Sequence, residues 1–291
     1  MMLCTEDFSS GFFDTGEVGS KADWFYFRQP NFVAKDSQTR ISFKMMRLNL
    51  LIPHYTLTSE GLTDHFKLLF FRNNVNKETG EPGFPVPEEG FLVCEATAIF
   101  RSLGCEENPF EADPEDYRLS CGALISIDFA NDTVVGFLIT GTRAYILYER
   151  WPLKPEGVDP AAFFSYHIPS TEFAAGTEHR YRLRYSKSGA VEWYIDNTRV
   201  FSHDRFGTRL PAEKEEYLVI PDLQDTGDPA ALPLIVSDQR AFGAGLFTYL
   251  DAGKRKDEEL VDVYAMNVEK EKKVFGQGGE LVIGEFTVST S

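Results

Sequence analysis

The segment 181–201, YRLRYSKSGAVEWYIDNTRVF, constrains the fold more than any other part of the chain. Its apolar residues alternate with polar residues over 181–185 and again over 191–195, which is the period of a strand with one buried face. Gly189 ends a first turn, since glycine accepts a positive φ, and Asp196-Asn197 forms a second. The segment therefore predicts three antiparallel strands joined by tight turns, within a β-protein.

Similar runs recur along the chain, as about a dozen short strands spaced roughly 8–12 residues apart and separated by turn residues. This spacing predicts an all-β fold, an antiparallel two-sheet β-sandwich with little helix, formed by residues 1–291 as a single domain. Gly, Pro, Asn and acidic residues predict long loops at about 73–90, 104–116 and 211–238. Residues 58–71 have apolar side chains at helical spacing and are predicted as a short helix or an irregular segment.

The sequence leaves smaller questions open about two segments and the cysteines. Residues 41–52 form an apolar run that fits one strand or two, and the strand predicted at 162–168 is expected to end at Pro169. The four cysteines lack the short CxxC spacing of zinc or redox sites. A bridge between Cys94 and Cys121 is compatible with the sequence, although nothing in it favours one.

Charge excludes some classes of partner. The net charge of the 291-residue chain is −16, and no basic stripe that would neutralise phosphates is present. We therefore predict that the protein binds neither nucleic acid nor an anionic membrane. Because the opening residues MMLCTEDFSS lack a basic region and a long apolar run, we expect no signal peptide and a cytoplasmic location. The oligomeric state is left open by the sequence.

Several short motifs resemble the concanavalin A-like lectin/glucanase superfamily, whose fold is a jelly roll. Glu6-Asp7-Phe8, followed by a glycine-bearing loop and Trp24, is similar to the start of such domains. Residues 193–197, WYIDN, are similar to a common W-Y-hydrophobic-D-G hairpin with Asn in place of Gly. The resemblance implies two curved antiparallel sheets, a C-terminal strand beside the N-terminal one, and a ligand groove on the concave face.

Laminarinase-type glycosidases of that superfamily carry an E-x-D-x-E strand, whose two glutamates act as nucleophile and acid/base. The matching segment here is 126–130, SIDFA, which keeps Asp128 but has Ser126 and Ala130 at the glutamate positions. Neither residue replaces a carboxylate, so the resemblance does not extend to that hydrolase chemistry.

Charged residues inside apolar strands are the first catalytic candidates, because burying a charge is costly unless the charge is paired or used. Glu95 lies in FLVCEATAIF, Asp128 in ALISIDFAN, and Arg118 just before LSCGALI. Each has a structural interpretation, namely an ion pair for Glu95 and Arg118 and a cross-strand hydrogen bond for Asp128. The functional interpretation is a carboxylate of raised pKa that acts as an acid or base in an apolar pocket.

Ligand-binding candidates surround the strand 143–149 and its end. Strand alternation places Arg143, Tyr145 and Glu149 on one face, and we expect these faces to line one groove with the catalytic candidates. The complete predicted binding set is Tyr148, Trp151, Arg143, Tyr145, Glu149 and His54. Of the five histidines, we select only His54 as a binding candidate, because it lies between Pro53 and Tyr55 at the end of a predicted strand.

Cofactor motifs are lacking. The histidines show no HxH or HExxH spacing, the Gly276–Gly279 run lacks the lysine of a phosphate loop, and no G-x-S-x-G elbow occurs. We predict no cofactor and no catalytic metal. Asp222, Asp225 and Asp228 leave a structural calcium open without supplying an EF-hand.

Three functions are compatible with these observations. The aromatic content of 14% and the charged residues within apolar strands favour a cofactor-independent enzyme, a cyclase or isomerase acting on a hydrophobic small molecule such as a secondary metabolite. The alternative is a carbohydrate-binding protein or degenerate glycoside hydrolase, and the third is a non-catalytic interaction domain. A closed apolar cavity favours the first, an open groove with aromatic platforms the second, and a flat surface the third.

Overall fold

A computed structural model describes residues 1–27, 39–56, 66–76, 79–150, 164–219, 234–250, 253–256, 259–262 and 273–291. Two short 3-10 helices lie within these ranges, at Cys105–Glu107 and Ala212–Tyr217. The strands of the described ranges are β1 Met2–Glu6, β2 Trp24–Tyr26, β3 Arg40–Phe43, β4 Leu48–Ile52, β5 Phe66–Arg72, β6 Phe84–Pro85, β7 Leu92–Leu103, β8 Cys121–Asp128, β9 Thr133–Ile139, β10 Arg143–Arg150, β11 Phe164–Glu172, β12 His179–Tyr185, β13 Val191–Ile195, β14 Thr198–His203, β15 Gln239–Phe247, β16 Gly253–Lys256, β17 Glu259–Asp262 and β18 Gly278–Thr290.

The strands form two large antiparallel sheets. Sheet A has the order β14-β13-β12-β7-β18-β4-β3, with β1 also paired to β18, and sheet B has the order β11-β10-β9-β8-β15-β5-β2, with β6 paired to β15. A small separate hairpin consists of β16 and β17. One core cluster contains buried side chains from both large sheets, which confirms the predicted antiparallel sandwich with little helix. The assignment of 1–291 to a single domain stays a prediction.

The hairpins predicted over residues 181–201 are confirmed. In sheet A, Tyr181 pairs with Ile195 and Leu183 with Trp193. The turn residues Asp196 and Asn197 have φ values of 49° and 68°, which short polar side chains tolerate better than bulky ones. The indole N–H of Trp193 donates to the backbone carbonyl of Gly136 at 2.9 Å, so this hairpin is also hydrogen-bonded to sheet B.

The two chain ends lie side by side, as the resemblance implied. Strand β1 pairs with β18 over Glu6↔Phe286 to Met2↔Ser289, and β18 pairs along its length with β7. The backbone N–H of Thr290 also donates to the carbonyl of Met1 at 2.8 Å. The C-terminal strand is therefore central in sheet A, with β7 on one edge and with β4 and β1 on successive parts of the other.

The helix alternative for 58–71 is wrong where the structure describes it. Phe66–Arg72 is strand β5, between β15 and β2 in sheet B, and 58–65 lies outside the described residues. Phe70 packs in the core between the sheets, whereas Leu69 and Phe71 pack on the other face. Because both faces are covered, the strand carries apolar residues at consecutive positions, and helical spacing arises by coincidence.

Three other expectations are decided by the pairing. Residues 41–52 form two strands, β3 and β4, around a turn at Met45-Met46. Strand β11 continues through Pro169 to Glu172, since Pro169 lies on an edge strand where a missing N–H is tolerated. Cys94 and Cys121 lie in different sheets and on different clusters, and all four cysteines are free.

Burial differs between the sheets and determines where a site can lie. Along β7 of sheet A, buried and partly exposed residues alternate, so its outer face meets solvent. In sheet B every residue of β8, β9 and β15 is buried. The face of sheet B turned away from sheet A, here called the second face, therefore carries a cluster of its own, separate from the sandwich core.

Candidate functional site

Glu95 lies on the solvent face of sheet A, away from any apolar pocket. Its carboxylate accepts hydrogen bonds from Arg180 at 3.0 Å and from Arg182. Both arginines lie on β12, the neighbouring strand, where Arg182 is the direct cross-strand partner. The geometry is that of a surface ion-pair network, which matches the structural interpretation of Glu95 with different partners from Arg118.

Asp128 is buried, but its oxygens are occupied locally. Oδ1 accepts the backbone N–H groups of Ala130 at 2.9 Å and Asn131 at 3.2 Å, and Oδ2 accepts the Asn131 side chain at 2.8 Å. The carboxylate thus holds the turn between β8 and β9. Since Glu95 lies on the outer face of sheet A and Asp128 at the end of a sheet B strand, the expectation of one shared groove is wrong.

Arg118 lies in the segment before β8 and is bound to a neighbour in sequence. Its guanidinium meets the Asp116 carboxylate through Nε at 2.9 Å and Nη2 at 2.5 Å. This fork geometry, led by the hydrogen bond to Asp116, raises the pKa of Arg118 above its ordinary value. Arg118 therefore does not pair with Glu95.

Tyr148 and His54 do not line a common groove. Tyr148 points into the core, where its hydroxyl donates to the Thr208 carbonyl at 2.8 Å and accepts from the Gly207 N–H at 2.9 Å. His54 is partly buried in the loop after β4. Trp151, together with Asp222, Asp225 and Asp228, lies outside the described residues.

The remaining predicted residues share the second face of sheet B. Glu149 on β10 pairs directly with Ser165 on β11, and Leu147 pairs with His167. Ser165 Oγ donates to Glu149 Oε1 at 2.5 Å, and His167 Nε2 lies 3.1 Å from Ser165 Oγ and 3.4 Å from Glu149 Oε1. The register of two adjacent strands therefore brings a carboxylate, a hydroxyl and an imidazole into contact.

Two tyrosine rings, Tyr117 and Tyr249, pack against His167, and a third, Tyr145, packs against Tyr117. Tyr117 lies with its ring centroid 4.6 Å from Tyr145, 5.1 Å from His167 and 5.7 Å from Tyr249. We call Tyr117, Tyr145, Glu149, Ser165, His167 and Tyr249 the tyrosine–histidine cluster. All six are at most 9% exposed.

Burial affects the phenols of the tyrosine–histidine cluster. It raises the pKa of Tyr117 and of Tyr145, although the neighbouring Arg143 guanidinium partly opposes the rise at Tyr145. Arg143 Nη1 donates to the Tyr145 hydroxyl at 3.3 Å and Nη2 to Glu172 at 2.7 Å. The raised pKa values keep the Tyr117 and Tyr145 phenols protonated at neutral pH, so both can donate a hydrogen bond.

Sequence reasoning placed Arg143, Tyr145 and Glu149 on one face, and the structure agrees. It missed Ser165 and His167, although the alternation of FSYHI on β11 carries the signal that they share a face. Tyr117 and Tyr249 lie outside the strands, so no periodicity predicts where they pack.

Sequence reasoning also missed Arg240, a fully buried arginine of β15. Its Nε and Nη groups donate to the side chain and carbonyl of Ser126, to the side chain and carbonyl of Thr133, and to Ser237, at 2.9 to 3.1 Å. The rings of Tyr185 and Phe206 each lie 5.0 Å from its guanidinium carbon. Burial lowers the pKa of Arg240, and the saturated donors mark a structural role.

An open depression of about 480 Å³ lies beside the edge strand β14 and the 3-10 helix Ala212–Tyr217. No residue of the predicted site lines it. Its lining mixes charged and apolar side chains, including Glu192, Arg199, Phe201, His203, Leu210 and Lys214.

Within the described ranges, no group of three or more His, Cys, Asp or Glu side chains is arranged to hold a metal ion. The same ranges contain no helix long and apolar enough to cross a bilayer. The cytoplasmic location and the lack of a cofactor stay predictions.

Comparisons with known proteins give a family and a set of distant folds. Residues 5–291 match the model of a family of unknown function, DUF6081. No curated protein matches. Among solved structures, the cellulose-induced protein Cip1 is 10% identical with a TM-score of 0.47, covering 99% of this chain and 98% of that one.

Two further structures show the same low similarity. An alginate lyase from Pseudomonas aeruginosa is 11% identical with a TM-score of 0.41, covering 86% of each chain. A sialidase is 8% identical with a TM-score of 0.44, covering 92% of this chain, which spans only 17% of the sialidase. All three TM-scores lie below 0.5, so these matches carry no argument about superfamily or activity.

Proposed function

Since this chain belongs to DUF6081, a family of unknown function, we propose its function from the tyrosine–histidine cluster: the protein binds a carbohydrate over the second face of sheet B. One observation carries the proposal. In the hydrogen-bonded group of Glu149, Ser165 and His167, the imidazole packs against the rings of Tyr117 and Tyr249, on the sheet face that does not form the sandwich core.

The chemistry of the cluster suits a sugar. Sugar rings present C–H groups on their faces, which pack on aromatic rings, and hydroxyls at their edges, which need donors and acceptors. Tyr117, Tyr145 and Tyr249 supply the rings and phenol donors. The Glu149 carboxylate can accept charge-assisted hydrogen bonds from sugar hydroxyls, and such bonds are stronger than neutral ones.

The cluster supports binding better than two-carboxylate hydrolysis. Glycosidases of the common type place two carboxyl groups about 5–9.5 Å apart across the scissile bond. The tyrosine–histidine cluster contains one carboxylate, Glu149, and nearby Asp116 is held by the Arg118 fork. Proton exchange between Glu149 and His167, 3.4 Å apart, would instead serve chemistry that needs one acid–base pair.

The burial of the tyrosine–histidine cluster limits how a ligand can reach it. Because the six side chains are at most 9% exposed, we expect a ligand to contact them only in molecules in which they have become accessible. The apparent affinity is then lowered by the fraction of molecules that are open. We therefore expect weak binding of short oligosaccharides and a gain with chain length, since longer ligands make more contacts in the open state.

Calorimetric titration with neutral and uronate oligosaccharides tests the proposal. We expect at least one class to bind the wild type, and Glu149→Gln and Tyr145→Leu to weaken that binding by about tenfold or more. Tyr194→Leu is the matched control, because Tyr194 lies on the outer face of sheet A, and it should leave the affinity unchanged. Circular dichroism confirms that each variant folds. Absence of binding by every oligosaccharide, or unchanged affinity in both cluster variants, refutes the proposal.

The cyclase or isomerase hypothesis remains a second candidate because of one observation. Beyond the tyrosine–histidine cluster, the second face is apolar, with Phe25, Leu69, Phe71, Ile125, Ile127 and Leu138 packed together. Such a surface suits a hydrophobic small molecule, with Glu149 and His167 as the acid–base pair. Saturable binding of an apolar aromatic ligand that Glu149→Gln leaves intact but Phe71→Ala abolishes, without any oligosaccharide binding, would favour this candidate.

A further inference from the structure

A second group of polar side chains lies at one end of the sandwich, on the inner face of sheet A. His179 begins β12, and its ring packs against Phe173 with centroids 4.3 Å apart. Its Nδ1 lies 2.6 Å from Oδ2 of Asp196, in the turn between β13 and β14. Tyr181, two residues further along β12, points to the same face and packs on Phe137 of sheet B.

The charge on Asp196 fixes the tautomer of His179. Burial opposes ionisation of Asp196, but the backbone N–H of Arg180 and the His179 side chain outweigh it and hold the pKa of this carboxyl below its usual range. An ionised carboxylate only accepts hydrogen bonds, so Nδ1 of His179 carries the proton. In the neutral ring, Nε2 is therefore an acceptor that points away from Asp196.

Two buried polar atoms belong to neighbouring rings at this end. His179 Nε2 and the Tyr181 hydroxyl are both inaccessible to solvent and have no hydrogen-bond partner among the described residues. The two rings are 6.5 Å apart. An unsatisfied buried polar group destabilises a fold, so two on one face, two residues apart, point to a shared partner.

We propose that His179 and Tyr181 bind one hydroxyl group, which donates to His179 Nε2 and accepts from the Tyr181 hydroxyl. A hydroxyl fits because it is both donor and acceptor and is small enough for a buried site. A hydroxyl satisfies the Nε2 acceptor and the phenol proton together, whereas an ammonium would leave the phenol proton without an acceptor. The hydroxyl belongs either to a water molecule or to an alcohol such as the end of a polyol.

This site is separate from the tyrosine–histidine cluster. It lies on the inner face of sheet A, whereas the cluster lies on the second face of sheet B. Failure of carbohydrate binding at the cluster therefore leaves the inference at His179 untouched, and the reverse also holds.

Thermal unfolding of Tyr181→Phe distinguishes a filled site from an empty one. If a hydroxyl bridges the two side chains, removal of the phenol oxygen breaks one of its bonds and lowers Tm. If the Tyr181 hydroxyl is truly unsatisfied, the same change removes a destabilising group and raises Tm. Tyr194→Phe, on the outer face of the same sheet, is the matched control for loss of a tyrosine hydroxyl.

Nuclear magnetic resonance of the full chain, labelled with ¹⁵N-histidine, gives an independent readout. We expect Nε2 of His179 to be hydrogen-bonded, with a signal that shifts in Tyr181→Phe and not in Tyr194→Phe. A persistent water cross-peak at the His179 ring identifies water, and a saturable shift with ethylene glycol or glycerol identifies an alcohol. A raised Tm in Tyr181→Phe, together with a His179 signal that neither the variant nor either alcohol moves, overturns the inference.

Discussion

In sheet A the strand β7 buries only every second side chain along most of its length, whereas in sheet B the strands β8, β9 and β15 bury every residue. The outer face of sheet A meets solvent, so charged residues there form ladders of ion pairs such as Glu95 with Arg180 and Arg182. The three buried strands of sheet B offer no such exposure, and each polar side chain within them needs a specific partner.

Arg182 and Arg240 show what this difference teaches. Arg182 shares its charge with the Glu95 carboxylate at the surface, where solvent screens both groups. Arg240 is fully buried and is held by hydroxyls, backbone carbonyls and two aromatic rings. The same residue type is therefore replaceable in one sheet and structural in the other. Four sets of variants test this contrast, in order of decreasing effect.

Arg240→Met should have the largest effect. The substitution removes the hydrogen bonds that Arg240 donates to Ser126, Thr133 and Ser237 in a buried site, and we expect a loss of about 3–5 kcal/mol in the free energy of unfolding. Urea denaturation followed by tryptophan fluorescence measures it. Arg240→Lys keeps the positive charge but lacks the planar guanidinium with its five donors, so it should recover only part of the lost stability. A loss below about 1 kcal/mol would contradict the structural role.

Gly243→Ala tests how closely the strands of sheet B approach one another. A Cβ at this position of β15 would lie 1.9 Å from the Phe70 carbonyl oxygen, far inside contact distance. We expect a loss of about 1–3 kcal/mol, because the backbone of β5 has to shift. Gly136→Ala, whose Cβ would lie 2.4 Å from the Leu124 carbonyl oxygen, should behave alike in the same urea titration. Neutral results for both would show that sheet B adapts easily.

The turn between β3 and β4 of sheet A offers a gain in stability. Met45 and Met46 have φ values of 52° and 57° and are 83% and 65% exposed, and Lys44 and Arg47 exchange two backbone hydrogen bonds around them. A two-residue turn of this kind favours Asn followed by Gly. The double substitution Met45→Asn with Met46→Gly should stabilise the fold by about 1 kcal/mol, since relief of strain exceeds the added freedom of the unfolded chain. A lower Tm in calorimetry would contradict this.

Glu95→Gln should have the smallest effect. The ion pairs with Arg180 and Arg182 lie at the surface, so we expect a loss of at most about 1 kcal/mol, shrinking further at high salt. Urea titrations at low and high sodium chloride measure it. A loss above that of Gly243→Ala would show that sheet A depends on its surface charges, and would reverse the contrast between the sheets.

Strand alternation predicted part of the candidate site. It placed Arg143, Tyr145 and Glu149 together because they belong to one strand, and local period alone decides which face they share. It did not reveal that Glu95 and Asp128 belong to different sheets, since apolar neighbours in sequence do not show which sheet a strand joins or whether its face is covered. Ser165 and His167 became part of the cluster only through the register of β11 on β10.

The sequence by itself determined the strands that have one solvent-exposed face and the turns that join them. In 181–201 the alternation of apolar and polar residues, with Gly189 and Asp196-Asn197 at the turns, leaves one local solution. Tertiary structure decided everything that depends on which surfaces meet. Where a sheet is covered on both sides, its strands are largely apolar, so the partners of Arg240 follow only from the pairing of strands that are distant in sequence.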